Sequence, residues 1–176
     1  MQLTNETIIG VLESALPGVV LRQDEPYGML SIEVAREHII PVLKTLKEDE
    51  RTGMTFLTTA CASHFPDDPG RELCMMYQLH NLPANKRMRI KTYFPIDDAR
   101  LPTATGLWAA SNWMEREAYD FFGVVFEGHP NLKRILNVED MEVFPLRKEY
   151  RLEDGTRTDK DDRFFGRDGN EGIKFD

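Results

Sequence analysis

Between Arg87 and Phe94 the chain alternates without a break. Met88, Ile90, Thr92 and Phe94 fall on one side, and Arg87, Arg89, Lys91 and Tyr93 on the other. A period of two belongs to a β-strand with one face packed and the other meeting water or a partner. Two stretches upstream, Thr55 to Ala62 and Leu73 to His80, read as strands of similar length. The loop His64-Phe65-Pro66-Asp67-Asp68-Pro69-Gly70 and the shorter Asn81-Leu82-Pro83-Ala84-Asn85 join the three as hairpins. A sheet of this kind must be covered, so the remaining segments have to supply helices.

They do so on both sides of the strands. Thr4 or Asn5 caps a first helix carrying Ile8, Ile9, Leu12 and Leu16, and Pro17-Gly18 stops it. Val19 to Leu21 is a strand candidate, Tyr27-Gly28 a turn, and Met29, Leu30, Ile32 and Val34 a second strand. A second helix starts close to Pro41, runs through Leu43 and Leu46, and ends in Glu48-Asp49-Glu50. After Pro95 and Pro102, Thr105 is expected to cap a short helix through Ala109. Asn112 is expected to cap another, Trp113 to Phe122, which Gly123 stops. Val124 to Phe126 follows as a short strand, then the turn Glu127-Gly128-His129-Pro130. This order predicts an α+β fold, a two-layer sandwich of helices on a mixed, mostly antiparallel sheet, with an extended C-terminal arm.

The 176 residues suffice for one domain with a proper core, burying roughly 70% of the unfolded chain's surface. A net charge of −8 argues against nucleic acid as the main partner, since phosphate binding needs concentrated Lys and Arg. Two cysteines cannot build a disulfide framework or a four-thiolate cluster. Residues 1–10 lack the basic start of a signal peptide, and no apolar run approaches the roughly 18 residues of a spanning helix. These features are those expected of a cytosolic protein or a peripheral subunit. Residues 1–150 form the expected domain, and residues 151–176 differ. They hold six basic and eight acidic residues, broken by Gly155, Gly166, Gly169 and Gly172. Such a stretch cannot fold alone, yet Phe164, Phe165, Ile173 and Phe175 suit an arm that orders on a neighbour.

Three constellations invite chemical readings. Cys61, His64, Cys74 and His80 have the donor types of a zinc site but poor spacing, and buried cysteines with loop-end histidines account for them as well. Glu117 and Asp120 lie about 60° apart on a helix, close enough for paired acid–base work, whereas Glu115 lies about 200° from Glu117. Asp120 also stands one turn after Arg116, where a surface ion pair explains it. Glu117 falls in the arc of Trp113, Met114, Ala118 and Phe121, which predicts a partly buried charge paired with His129 or Arg134. The row Arg87, Arg89 and Lys91 is by default a solvated sheet face, with an acidic partner and then RNA as the sharper readings, RNA disfavoured by the acidic chain. Trp108 and Trp113 are core or interface aromatics. No phosphate-cradling glycine loop, dinucleotide fingerprint or nucleophile elbow is present.

The run from Glu115 to Leu136, EREAYDFFGVVFEGHPNLKRIL, resembles the signature of the 30 kDa (C-type) subunit of respiratory complex I, the NADH:quinone oxidoreductase. Its elements are Glu115-Arg116-Glu117, Asp120, two bulky apolar residues, His129-Pro130, then Lys133-Arg134 and an aliphatic pair. The resemblance extends upstream through Leu101-Pro102-Thr103-Ala104-Thr105 and Trp113, and downstream through Phe144-Pro145-Leu146-Arg147-Lys148-Glu149-Tyr150.

This resemblance implies a chain with no active site, cofactor or metal of its own. The FMN, iron-sulfur clusters and quinone are expected in partner subunits. It implies packing in the hydrophilic arm against the 49 kDa (D-type) subunit, near the ferredoxin-like I-type and the B-type subunits, at the cytoplasmic face of the inner membrane. The signature is then a support, an ion-pair network fixing how the later segment leaves the domain, with Phe164, Phe165 and Phe175 as tail anchors. An equivalent scaffold subunit of a membrane-bound hydrogenase, or of another quinone- or phenazine-linked dehydrogenase, shares this resemblance. A free-standing hydrolase using Glu117 and Asp120 is the contrasting reading.

Overall fold

The structure, a computed structural model, describes residues 3–150. Helix α1 (Asn5–Ala15) starts where the Thr4 hydroxyl accepts the Thr7 N–H at 3.3 Å, and it buries Ile8, Val11 and Leu12. Helix α2 (Ile39–Glu48) has Pro41 in its first turn, where no intrahelical donor is lost, and buries Ile39, Val42, Leu43 and Leu46. The two helices pack on each other and share one core with the strands.

Five strands form the main sheet: β1 (Arg22–Asp24), β2 (Leu30–Glu33), β3 (Phe56–His64), β4 (Leu73–Asn81) and β5 (Lys86–Phe94), in the order β1-β2-β5-β4-β3. The β2–β5 pair is parallel and the others antiparallel, so the sheet is mixed as expected. Paired residues share a face. Ile32, Ile90, Tyr77 and Ala60 therefore stack across four strands and belong to the common core. An irregularity between Leu57 and Thr59 keeps both Leu57 and Ala60 on the buried side, although their spacing in a regular strand would part them. Met88, Ile90, Thr92 and Phe94 are buried, and Arg87, Arg89, Lys91 and Tyr93 are partly or fully exposed.

A second sheet pairs β6 (Arg100–Pro102) with β7 (Val125–Glu127) in parallel, connected through α3 (Ser111–Phe122). Helix α3 packs against β3, which brings the signature helix to the edge of the main sheet.

Three local expectations are corrected. The first strand lies at Arg22–Asp24 rather than Val19–Leu21, because pairing of Arg22 with Glu33 sets its register while Val19 turns into the core. No helix forms at Thr105–Ala109. There the Ala104 N–H bonds the Glu115 carboxylate, the Leu107 carbonyl takes the Lys47 ammonium, and Trp108 Nε1 donates to the Thr55 carbonyl at 2.8 Å. These outside partners hold a string of turns in place of a helix. Finally, α3 begins at Ser111, so Asn112 lies inside it rather than capping it.

Candidate functional site

Helix α3 is gripped from two sides. On one side Ser111, Glu115 and Ala118 are buried, four and three residues apart. The Glu115 carboxylate accepts from Thr103 Oγ1 at 2.5 Å, the Ala104 N–H at 2.7 Å and Ser111 Oγ at 2.7 Å. It thereby ties the end of β6 to the first turns of α3. The Tyr77 hydroxyl is held protonated far above the usual range, by burial first and by the Glu115 charge second.

Asp120 lies about 140° around the helix from Glu115 and is equally buried. The segment after β7 covers it. Asp120 Oδ2 accepts three successive backbone N–H groups, Ile135 at 3.0 Å, Leu136 at 2.8 Å and Asn137 at 3.0 Å. Its Oδ1 accepts from Arg134 Nη1 at 2.9 Å and Asn137 Nδ2 at 3.1 Å. Burial alone would raise this carboxyl's pKa, but the Leu136, Asn137 and Ile135 amides and the Arg134 guanidinium outweigh it and hold it well below the usual range. Arg134 Nη2 goes on to donate to the carbonyls of Met141 and Val143 at 2.7 and 3.0 Å.

The rest of the 129–150 segment is pinned at further points. Arg116 donates to the carbonyls of Lys133 and Arg134 and stacks on Trp113, 4.9 Å from the ring centre. His129 Nδ1 accepts the Asn131 N–H at 3.0 Å, which leaves Nε2 to donate to the Asn112 carbonyl at 3.1 Å. The guanidinium groups of Arg134 and Arg147 both lie over the Phe144 ring, 5.1 and 4.7 Å from its centre. Arg147 Nε donates to the Phe122 carbonyl at 2.8 Å. The Lys148 N–H donates to His64 Nδ1 at 2.9 Å, with Glu149 3.6 Å from the same nitrogen.

Several expectations change. The buried carboxylates are Glu115 and Asp120, while Glu117 is exposed and makes no ion pair among the described residues. Neither His129 nor Arg134 is its partner, because Arg134 is committed to Asp120. The helix face differs from the expected one because Trp113 points outward under Arg116 rather than into the core. Asp120 is not paired with Arg116, and its five hydrogen bonds leave it no free lone-pair direction for acid–base work beside Glu117. Pro130, Lys133, Lys148 and Tyr150 are exposed, and the three tail phenylalanines Phe164, Phe165 and Phe175 lie outside the described residues.

The four zinc candidates are not gathered into one site. Cys74 and His64 belong to opposite faces of the sheet by register, and His80 sits at the far end of β4. No group of three or more metal-ligating side chains occurs among the described residues. Ser111 is the functional neighbour that the sequence pattern leaves unmarked, its one local signal being the four-residue step to Glu115. Thr103 and Phe144 stand in the runs that carry the family resemblance, but their contacts are not visible there.

The family model for the respiratory-chain NADH dehydrogenase 30 kDa subunit matches residues 32–156. The C-type subunit of the NADH-quinone oxidoreductase of a Nocardioides species is 38% identical over 141 residues, 80% of this chain and 55% of the relative. Its counterpart in Acidothermus cellulolyticus is 35% identical over 144 residues, 82% of this chain and 75% of the relative. The chain thus spans little more than half the length of the first of these. Among solved structures, the trypsin-resistant fragment of Nqo5 is 32% identical with a TM-score of 0.62, covering 72% of this chain and 99% of that one. A chain of the membrane-bound sulfane sulfur reductase, an archaeal respiratory membrane complex, is 26% identical with a TM-score of 0.70, covering 84% and 85%. The α+β fold and the signature agree with these matches, and the chain belongs to the family of the respiratory-chain NADH dehydrogenase 30 kDa subunit.

Proposed function

We propose that this chain is a non-redox scaffold subunit in the hydrophilic arm of a membrane-bound, proton-pumping NADH:quinone oxidoreductase. The observation that carries this reading is the double clamp on α3. The signature's buried carboxylates, Glu115 and Asp120, are saturated by protein donors and serve to fix the 129–150 segment on the domain. Saturated groups of this kind give shape rather than proton transfer. The shape they give is an irregular segment held rigidly at the surface, which suits a docking element.

In this reading the 49 kDa (D-type) subunit is the main neighbour, with the B- and I-type subunits close by. FMN, iron-sulfur clusters and quinone reside in the partner chains. The complex stands at the cytoplasmic face of the inner membrane. No helix among the described residues is long and apolar enough to cross a membrane. In this reading the partner subunits supply the attachment. The likeness to a chain of the sulfane sulfur reductase supports a second reading, an equivalent scaffold in a membrane-bound hydrogenase or other quinone- or phenazine-linked dehydrogenase.

Affinity purification of the tagged chain from its host in mild detergent, with mass spectrometry and an NADH:quinone assay, tests both. Recovery with the B-, D- and I-type subunits and NADH-linked activity is the expected result. Recovery with a hydrogenase large subunit transfers the chain to the second reading, and a lone chain overturns both.

A further inference from the structure

Residues 136–143 combine exposure with rigidity. Leu136 and Val138 are 67% and 64% exposed, and Val143 is exposed as well. Loops with such side chains ordinarily fold them inward, since burial of each is worth about 1.5–3 kcal/mol. Here the backbone is not free to do so. Asp120 holds the amides of residues 135–137, and Arg134 holds the carbonyls of Met141 and Val143. The aliphatic side chains are thus presented outward by a backbone whose conformation is already set, which lowers the ordering cost of binding.

The charges around them select the occupant. Residues 136–143 include Glu139, Asp140 and Glu142 and no basic residue. All three acidic residues are exposed, and none makes an ion pair among the described residues. A second copy of the chain would set these carboxylates against each other, which disfavours self-association. We infer that the Leu136–Val138–Val143 strip is a preformed docking surface for a different protein subunit, one presenting an apolar groove bordered by Lys or Arg. This inference rests on the scaffold reading and names the surface that serves it.

The test uses the full chain expressed in its host. A photoreactive amino acid placed at Val138 is cross-linked within the purified complex. In parallel, Leu136→Asp with Val138→Asp, and Glu139→Lys with Glu142→Lys, are scored for recovery of the chain in that complex. The expected result is a Val138 adduct to a Lys- or Arg-containing peptide of another subunit and a loss of recovery of roughly tenfold or more in both variants. Melting curves of the purified variants close to that of the parent chain show that the loss is not unfolding. Wild-type recovery of both variants overturns the surface, as does an unreacted probe or an adduct only to a second copy. If the unsubstituted chain enters the complex and Val138 does not cross-link there, the surface alone fails. If the unsubstituted chain enters no complex, the scaffold reading fails with it.

Discussion

Arg134 closes on Asp120 twice, donating from Nη1 to its carboxylate at 2.9 Å and to its backbone carbonyl at 2.7 Å. Both side chains are almost wholly withdrawn from water. A buried pair holds only when hydrogen bonds satisfy the remaining lone pairs and protons. Three amides and an amide side chain do that for Asp120, and two further carbonyls do it for Arg134. Helix α3 and the segment after β7 therefore behave as one body.

Removing one partner exposes the dependence. Asp120→Ala is expected to destabilise the chain by about 3–5 kcal/mol, because Arg134 and three amides are left without a partner. Glu117→Gln, at an exposed position, should stay within about 0.5 kcal/mol of the parent. Urea unfolding of the two variants measures both. The pH dependence has a definite sign. The folded carboxyl is depressed below its unfolded value near 3.9, so its contribution is complete above that pH and shrinks as pH falls toward the folded value. The stability gap between the parent and Asp120→Asn should be flat from about pH 5 to 7 and narrow below about pH 4.

Two glycines predict opposite outcomes for one substitution. Gly123 ends α3 at φ +77°, and a Cβ there would lie 2.6 Å from the Phe144 ring and 2.7 Å from Arg147 Nη2. Gly123→Ala should cost about 2 kcal/mol or more, from the left-handed backbone and the crowded ring together. Gly10 sits within α1 with open space around it, and Gly10→Ala should stabilise by about 0.5–1 kcal/mol. Thermal melting of the pair must move in opposite directions.

Glu115 is buried with neutral donors around it rather than a cation. Glu115→Ala strands the Ala104 N–H and two hydroxyls, and about 3 kcal/mol of destabilisation is expected. Ser111→Ala removes a single donor and should cost about 1 kcal/mol. Equal effects in chemical denaturation would show that the carboxylate does not organise this junction.

The cysteines should be poor nucleophiles in the folded chain. Burial pushes the Cys74 thiol up to about 11, and burial with the Glu117 charge raises Cys61 too. At pH 8 the thiolate fraction of Cys74 is then on the order of a thousandth. Iodoacetamide should label the partly buried Cys61 first and Cys74 only on unfolding, with rates read by mass spectrometry.

Much of this was legible without coordinates because it is local. Alternation at Met88, Ile90, Thr92 and Phe94 depends on the two-residue pleat alone, and Thr4 caps α1 through a bond spanning three residues. The family signature is likewise a pattern along the chain, readable before any contact is known. The pairing of β2 with β5 in parallel, the turns around Leu107 and the roles of Glu115, Glu117 and Asp120 were not legible in this way. A helical wheel ranks faces by apolarity, yet burial depends on what arrives from elsewhere. Here Thr103 and Ala104 cover one side of α3, and residues 134–137 return to cover the other. Element types and family membership could be read along the chain because propensity and periodicity act over a few residues. Which carboxylates are buried follows from desolvation, and desolvation is set by long-range contacts that a one-dimensional pattern does not contain.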